Sequence, residues 1–64
     1  MKKFTFLIPV FNDWDSLSIL LGRIDQEISS YEDIFDVVIV NDGSTIKHSI
    51  KNKNLKKINL IKIL

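Results

Sequence analysis

Two apolar runs in this 64-residue chain break off at the same pair of residues. Phe4 to Phe11 (FTFLIPVF), interrupted only by Thr5, gives way to Asn12-Asp13, and Val37-Val38-Ile39-Val40 gives way to Asn41-Asp42. Short runs rich in β-branched and aromatic residues, bounded by turn formers, read as strands. Apolarity that is continuous rather than alternating suits strands covered on both faces, as in a parallel α/β sheet. Pro9 cannot donate a ladder hydrogen bond, so it is expected where pairing ends. The cluster Asn41-Asp42-Gly43-Ser44 is a set of turn formers closing the second run.

The segment between the runs has the period of a helix. Leu17, Leu20, Leu21, Ile24 and Ile28 lie at offsets of 3, 4, 7 and 11 from the first, which predicts one apolar face. Asn12, Asp13, Asp15 and Ser16 offer N-caps, and acidic groups there favour the positive end of the helix dipole. Gly22 costs the helix about 1 kcal/mol relative to alanine, which five packed aliphatics can tolerate. Ser29-Ser30 ends it. Thr45 to Lys53 reads as a weak helix or irregular crossover, and Ile58 to Leu64 (INLIKIL) as a third strand. The expected fold is therefore α/β: a β-α-β-(weak helix)-β arrangement with parallel strands, a partial Rossmann-like unit over residues 1–64.

Composition removes several classes. With no cysteine and one histidine, neither a disulfide framework nor a structural zinc site can be built. A hydrophobic fraction of 45% with only two glycines argues against disorder. A chain of this size buries only about 60% of the surface its unfolded form exposes, so its stability margin is thin. No run approaches the length of a membrane span. Met1-Lys2-Lys3 before an apolar run resembles a signal peptide, but Pro9, Asn12-Asp13 and the absence of a small-residue cleavage site count against it. A cytoplasmic location is expected, with any membrane contact left to regions outside these residues.

Charge is unevenly spread. Residues 1–42 carry three basic and eight acidic side chains, 3 − 8 = −5, whereas residues 43–64 carry six lysines and no acid, +6. The preferred reading is a solvated connector balancing an acidic neighbour, with no nucleic-acid partner.

Open α/β sheets bind ligands outside the carboxyl ends of their strands. Both polar clusters belong there, and adjacent parallel strands would bring them to one crevice. The first turn, Pro9-Val10-Phe11-Asn12, is not the G-x-G-x-x-G that cradles a pyrophosphate, and no G-x-x-x-x-G-K-[ST] occurs. A carboxylate such as Asp42 can accept hydrogen bonds from a base N–H or ribose hydroxyls. Gly43 would permit close backbone approach and Phe11 an apolar wall. By spacing alone the same residues read more readily as a turn and as helix caps. Trp14 is expected to pack, and His48 to be solvated.

The segment FLIPVFNDWDSLSILLGRI resembles the IPVYNE-type opening of family 2 glycosyltransferases, and VVIVNDGST resembles their strand-two DDGSTD motif. KINLIKIL falls where their third strand begins, so the ordered match spans essentially the whole chain. The resemblance implies a GT-A fold that binds a nucleoside-diphosphate sugar, a UDP- or GDP-sugar, usually with Mg²⁺ or Mn²⁺. By position, Pro9, Phe11 and Asn12 would line the nucleoside pocket, with Asp13, where the family commonly has Glu, near the base or ribose. Asp42 would make the base contact, and Gly43 and Ser44 would shape the turn. Asn41 stands for the motif's first Asp and Ile46 for its last. The metal-binding D-x-D and the catalytic base belong beyond Leu64. The resemblance therefore implies no catalytic residue and no metal ligand here, and a chain that alone does not transfer sugar. Asp13-Trp14-Asp15 has the D-x-D letters but falls at the helix start.

Two readings from other classes stand beside this one. Exposed sheet surface could make the chain a non-catalytic module that self-associates or docks on a partner. The lysine-rich end could instead contact anionic lipid or nucleic acid.

Overall fold

The computed structural model describes residues 1–45 and 54–64. Three strands and one helix follow in the order β1 (Lys3–Val10), α1 (Trp14–Glu27), β2 (Ile34–Asn41) and β3 (Ile58–Ile63). The strands form a single parallel sheet with β2 in the middle, in the order β1-β2-β3. The expected α/β architecture is present, a small partial Rossmann-like unit. Pairing of β1 with β2 runs without a break from Lys3–Ile34 to Val10–Asn41. The β2–β3 register shifts between Phe35 and Asp36, where Asn59 is the extra residue. The weak helix expected over Thr45 to Lys53 falls mostly outside the described residues, as does His48. Among the described residues no helix is long and apolar enough to cross a membrane.

One layer of side chains joins helix to sheet. Val10, Trp14, Leu17, Leu21, Val37 and Ile39 form the buried cluster, with Phe6, Ile8, Ile58, Ile61 and Ile63 packed against it. The helix is amphipathic as its spacing implies, but its buried stripe has a different phase. Trp14, Leu17, Ser18, Leu21 and Asp25 are buried, whereas Leu20 is 42% exposed. Trp14 therefore leads the stripe and packs, as expected. Ser18 fits there because its Oγ donates to the Trp14 carbonyl at 3.0 Å, so a polar atom enters the core already bonded. Ile28, read as the last helical position, is the buried residue just past the helix, its N–H bonded to the Ile24 carbonyl at 3.0 Å.

The apolar runs do not have both faces covered. On the face away from α1, Leu7 is 69% exposed and Leu60 56%, with Val38 and Val40 half-buried between the flanking strands. Uninterrupted apolarity marked these runs as strands correctly, yet one face of the sheet is open.

Candidate functional site

The carboxyl ends of β1 and β2 meet, and backbone bonds fix how. The Asp42 N–H donates to the Val10 carbonyl at 2.8 Å, extending the parallel ladder one step past both strands. Immediately beyond, Asn12 takes a left-handed conformation (φ 58°), which asparagine tolerates better than most residues. That bend aims its side chain across at the second tip. Its Oδ1 accepts from the Thr45 N–H at 2.8 Å, and its Nδ2 donates to Thr45 Oγ1 at 3.2 Å. In return the Asn12 N–H donates to Ser44 Oγ at 2.8 Å. Asn41 closes its own loop by accepting the Ser44 N–H on Oδ1 at 3.0 Å.

The structure thus brings Asn12, Asp42, Gly43 and Ser44 to one rim, as the two matching strand ends imply. It also separates their roles. The Asn12 amide and the Ser44 hydroxyl are engaged in stitching the two turns together. Asp13 caps α1, accepting the Ser16 N–H at 3.4 Å, so the cap reading holds for it. Asp42 lies exposed at the tip of β2, and among the described residues no hydrogen bond or ion pair holds its carboxylate. Gly43 has a positive φ of 76°, a conformation that favours glycine, and a Cβ there would meet no protein atom within 4 Å.

Pro9, Phe11 and Asp13 face a neighbouring open depression of about 200 Å³, whose floor is made by Val10, Leu17 and Leu20. Phe11 is 61% exposed on its lip. Asn12, Asp42, Gly43 and Ser44 are not among the depression's lining residues, so the structure sets Phe11 and Asp42 on separate features of this end of the sheet. An exposed ring can flank a flat heteroaromatic group, and an exposed carboxylate can accept N–H donors. A wider hollow of about 620 Å³ lies at the far half of α1, between Gly22, Asp25 and Lys56, and shares no residue with the strand tips.

Sequence reasoning missed Asp25, which lies outside the apolar stripe of Leu17, Leu20, Leu21, Ile24 and Ile28. Its buried carboxylate accepts three successive backbone N–H groups from Lys56, Lys57 and Ile58, at 2.9, 2.7 and 2.8 Å. Desolvation pushes its pKa up, but those three bonds and the Lys56 charge outweigh it and hold the group below its ordinary 3.8. Asp36 sits buried on the open face, bonded by Asn59 Nδ2 at 3.0 Å and paired with Lys3 Nζ at 3.1 Å. The Asn59 bond, then Lys3, lowers its pKa too. Both carboxylates are structural clamps. Their signal in the sequence was slight: an acid on a helix flank and an acid inside an apolar strand.

Among the described residues no group of three His, Asp or Glu side chains converges to hold a metal ion. Asp13 and Asp15 belong to no such group among the described residues. No family model, curated protein or solved structure matches this chain.

Proposed function

We propose that this chain is the nucleotide-recognising part of a glycosyltransferase of the family 2 type, binding a UDP- or GDP-sugar at the joined tips of β1 and β2. The observation that supports this reading is the joined rim itself: the Asn12–Ser44–Thr45 bonds hold the two strand tips together, and Asp42, whose carboxylate no described residue engages, lies exposed there. In this reading Asp42 accepts from the base or ribose, and Phe11 and Pro9 flank the ring. Asn12, Gly43 and Ser44 hold the rim in shape, and Asp13 acts through the helix cap. Transfer chemistry, and any Mg²⁺ or Mn²⁺ it uses, is assigned to residues other than these. A cytoplasmic location goes with the reading.

Titration calorimetry with UDP- and GDP-sugars tests it. Asp42→Ala should weaken binding by about 1–3 kcal/mol, the cost of leaving the ligand's donors unpaired. Equal affinity in the variant and the parent chain, or no measurable affinity in either, removes the assignment.

A further inference from the structure

Asp42–Gly43 is the one place in the chain where an acidic or amide side chain precedes a glycine. Such a pair can react with itself: the backbone nitrogen of the second residue attacks the side-chain carboxyl carbon of the first and closes a succinimide ring. A Cβ on the second residue would shield that nitrogen, and glycine has none. The fold leaves the pair open. Asp42 is exposed at the tip of β2, and no described residue engages its carboxylate. The backbone donors on either side are held, that of Asp42 by the Val10 carbonyl at 2.8 Å and that of Ser44 by Asn41 Oδ1 at 3.0 Å. The Gly43 N–H between them has no hydrogen-bond partner among the described residues. Around it there is room, since a Cβ on Gly43 would meet no protein atom within 4 Å.

No other aspartate of the chain combines these features. Asp13 caps α1 and Asp15 lies in its first turn, so helical backbone fixes the residue that follows each. Asp25 and Asp36 are buried and bonded. Asp33 accepts the Lys2 N–H at 3.0 Å, and Ile34 after it gives its own N–H to the Lys2 carbonyl at 2.9 Å.

We propose that Asp42–Gly43 is a self-modification site, at which the folded chain converts Asp42 to isoaspartate and thereby unties the rim. This is independent of the nucleotide reading. In the first step the Gly43 nitrogen bonds to Asp42 Cγ of the protonated carboxyl, and the amide proton and the carboxyl hydroxyl leave together as water. In the second step water opens the ring. Opening at Cγ restores aspartate. Opening at the backbone carbonyl leaves the chain running through Cβ, with the free carboxylate now carried on Cα. The water lost is regained, so no oxidant or other reagent is consumed. The product has one more atom in its main chain, inserted in a turn pinned at both ends. Val10 holds the Asp42 N–H on one side, and on the other Ser44 Oγ accepts the Asn12 N–H at 2.8 Å. Lengthening the chain between those points displaces Ser44 and Thr45 from Asn12, and hydrogen bonds weaken steeply away from their preferred geometry.

Incubation of the folded chain in neutral buffer tests the step. Isoaspartyl groups are counted with protein isoaspartyl methyltransferase and located by electron-transfer fragmentation of the peptides. Isoaspartate should accumulate with time at residue 42 and at no other aspartate, accompanied by a minor species lighter by one water. Asp42→Glu keeps the charge but would require a larger, less readily closed ring, and should abolish the accumulation. In the isolated isoaspartyl form the amide NMR signals of Asn12, Ser44 and Thr45 should shift, while those of Phe4 to Leu7 stay in place. Absence of isoaspartate at residue 42 in the folded chain overturns the proposal, and its appearance in urea alone would show that the turn shields the pair. Equal accumulation at the other aspartates or in Asp42→Glu overturns it too, as does an isoaspartyl form whose Asn12 and Thr45 signals have not moved.

Discussion

Asp25 shows how one side chain can organise a distant segment. It lies near the end of α1, yet its carboxylate gathers the N–H groups of Lys56, Lys57 and Ile58, just where β3 begins. These donors have no ladder partner at that point, and burying them without an acceptor is costly. Asp25→Ala should lower stability by about 1–3 kcal/mol or more, read as a lower urea midpoint. A midpoint unchanged from the parent would mean that water replaces the carboxylate without loss. Asn12 invites a finer test. Asn12→Asp keeps the acceptor for the Thr45 N–H and loses the donor to Thr45 Oγ1, at about 0.5–1.5 kcal/mol. Asn12→Ala loses both and adds the strain of a left-handed backbone, roughly 1–2 kcal/mol further. If alanine proved no worse than aspartate, the rim would not depend on this side chain. Neither role could be read from spacing. Asp25 meets partners 31 to 33 residues away, and Asn12 meets Ser44 and Thr45 at 32 and 33. Local pattern carries no record of such pairings.

At the level of elements, the strands and the helix were legible because each has its own period. The parallel order followed from one helix lying between two apolar runs, and with it the meeting of the two Asn-Asp turns. What periodicity left open was the phase of the helix. Leu17, Leu20, Leu21, Ile24 and Ile28 make an acceptable stripe, but the stripe led by Trp14 buries a larger side chain at the price of admitting Ser18 and Asp25. Both of those find hydrogen bonds, so the cost of their burial falls. The two stripes share Leu17 and Leu21 and differ at Leu20. Leu21 has no exposed surface and Leu20 is 42% exposed. Leu21→Ala should cost about 2–5 kcal/mol, while Leu20→Ala should cost well under half as much. Thermal melts of the two variants decide between the phases, and equal losses would restore the sequence-based stripe. The coverage of the sheet was likewise beyond the reach of pattern, since a run of apolar residues says nothing about how many layers the rest of the chain can supply.

For the whole molecule, the third strand is held to the rest by more than its ladder with β2. Asp25 ties its start to α1, and Asp36, itself paired with Lys3 of β1, accepts from Asn59 at its bulge. Two carboxylates thus tie β3 to α1 and to β2, the second reaching β1 through Lys3, and both have pKa values held below the ordinary 3.8. A carboxylate depressed in the folded state binds protons more readily once unfolded. Its contribution is therefore complete above the unfolded value and disappears as pH falls through the folded one. Stability should be flat from neutrality down to about pH 5 and decline below 3.8. The loss should also be local before it is global. β1 and β2 share an uninterrupted parallel ladder that includes no titrating bond of this kind at its centre, whereas the β3 end depends on both carboxylates. Hydrogen exchange measured between pH 6 and pH 2.5, corrected for intrinsic rates, should show the amides of residues 56–63 losing protection before those of residues 4–10 and 35–41. Asp25→Asn should bring on that early loss in residues 56–63 already at neutral pH. Its single amide oxygen takes the Lys57 and Ile58 bonds without the charge that strengthens them, and the amide NH2 cannot accept from the Lys56 N–H. Simultaneous loss of protection in all three strands would mean that the sheet unfolds as one cooperative unit, with the two carboxylates adding to its total stability but not setting the order in which it opens.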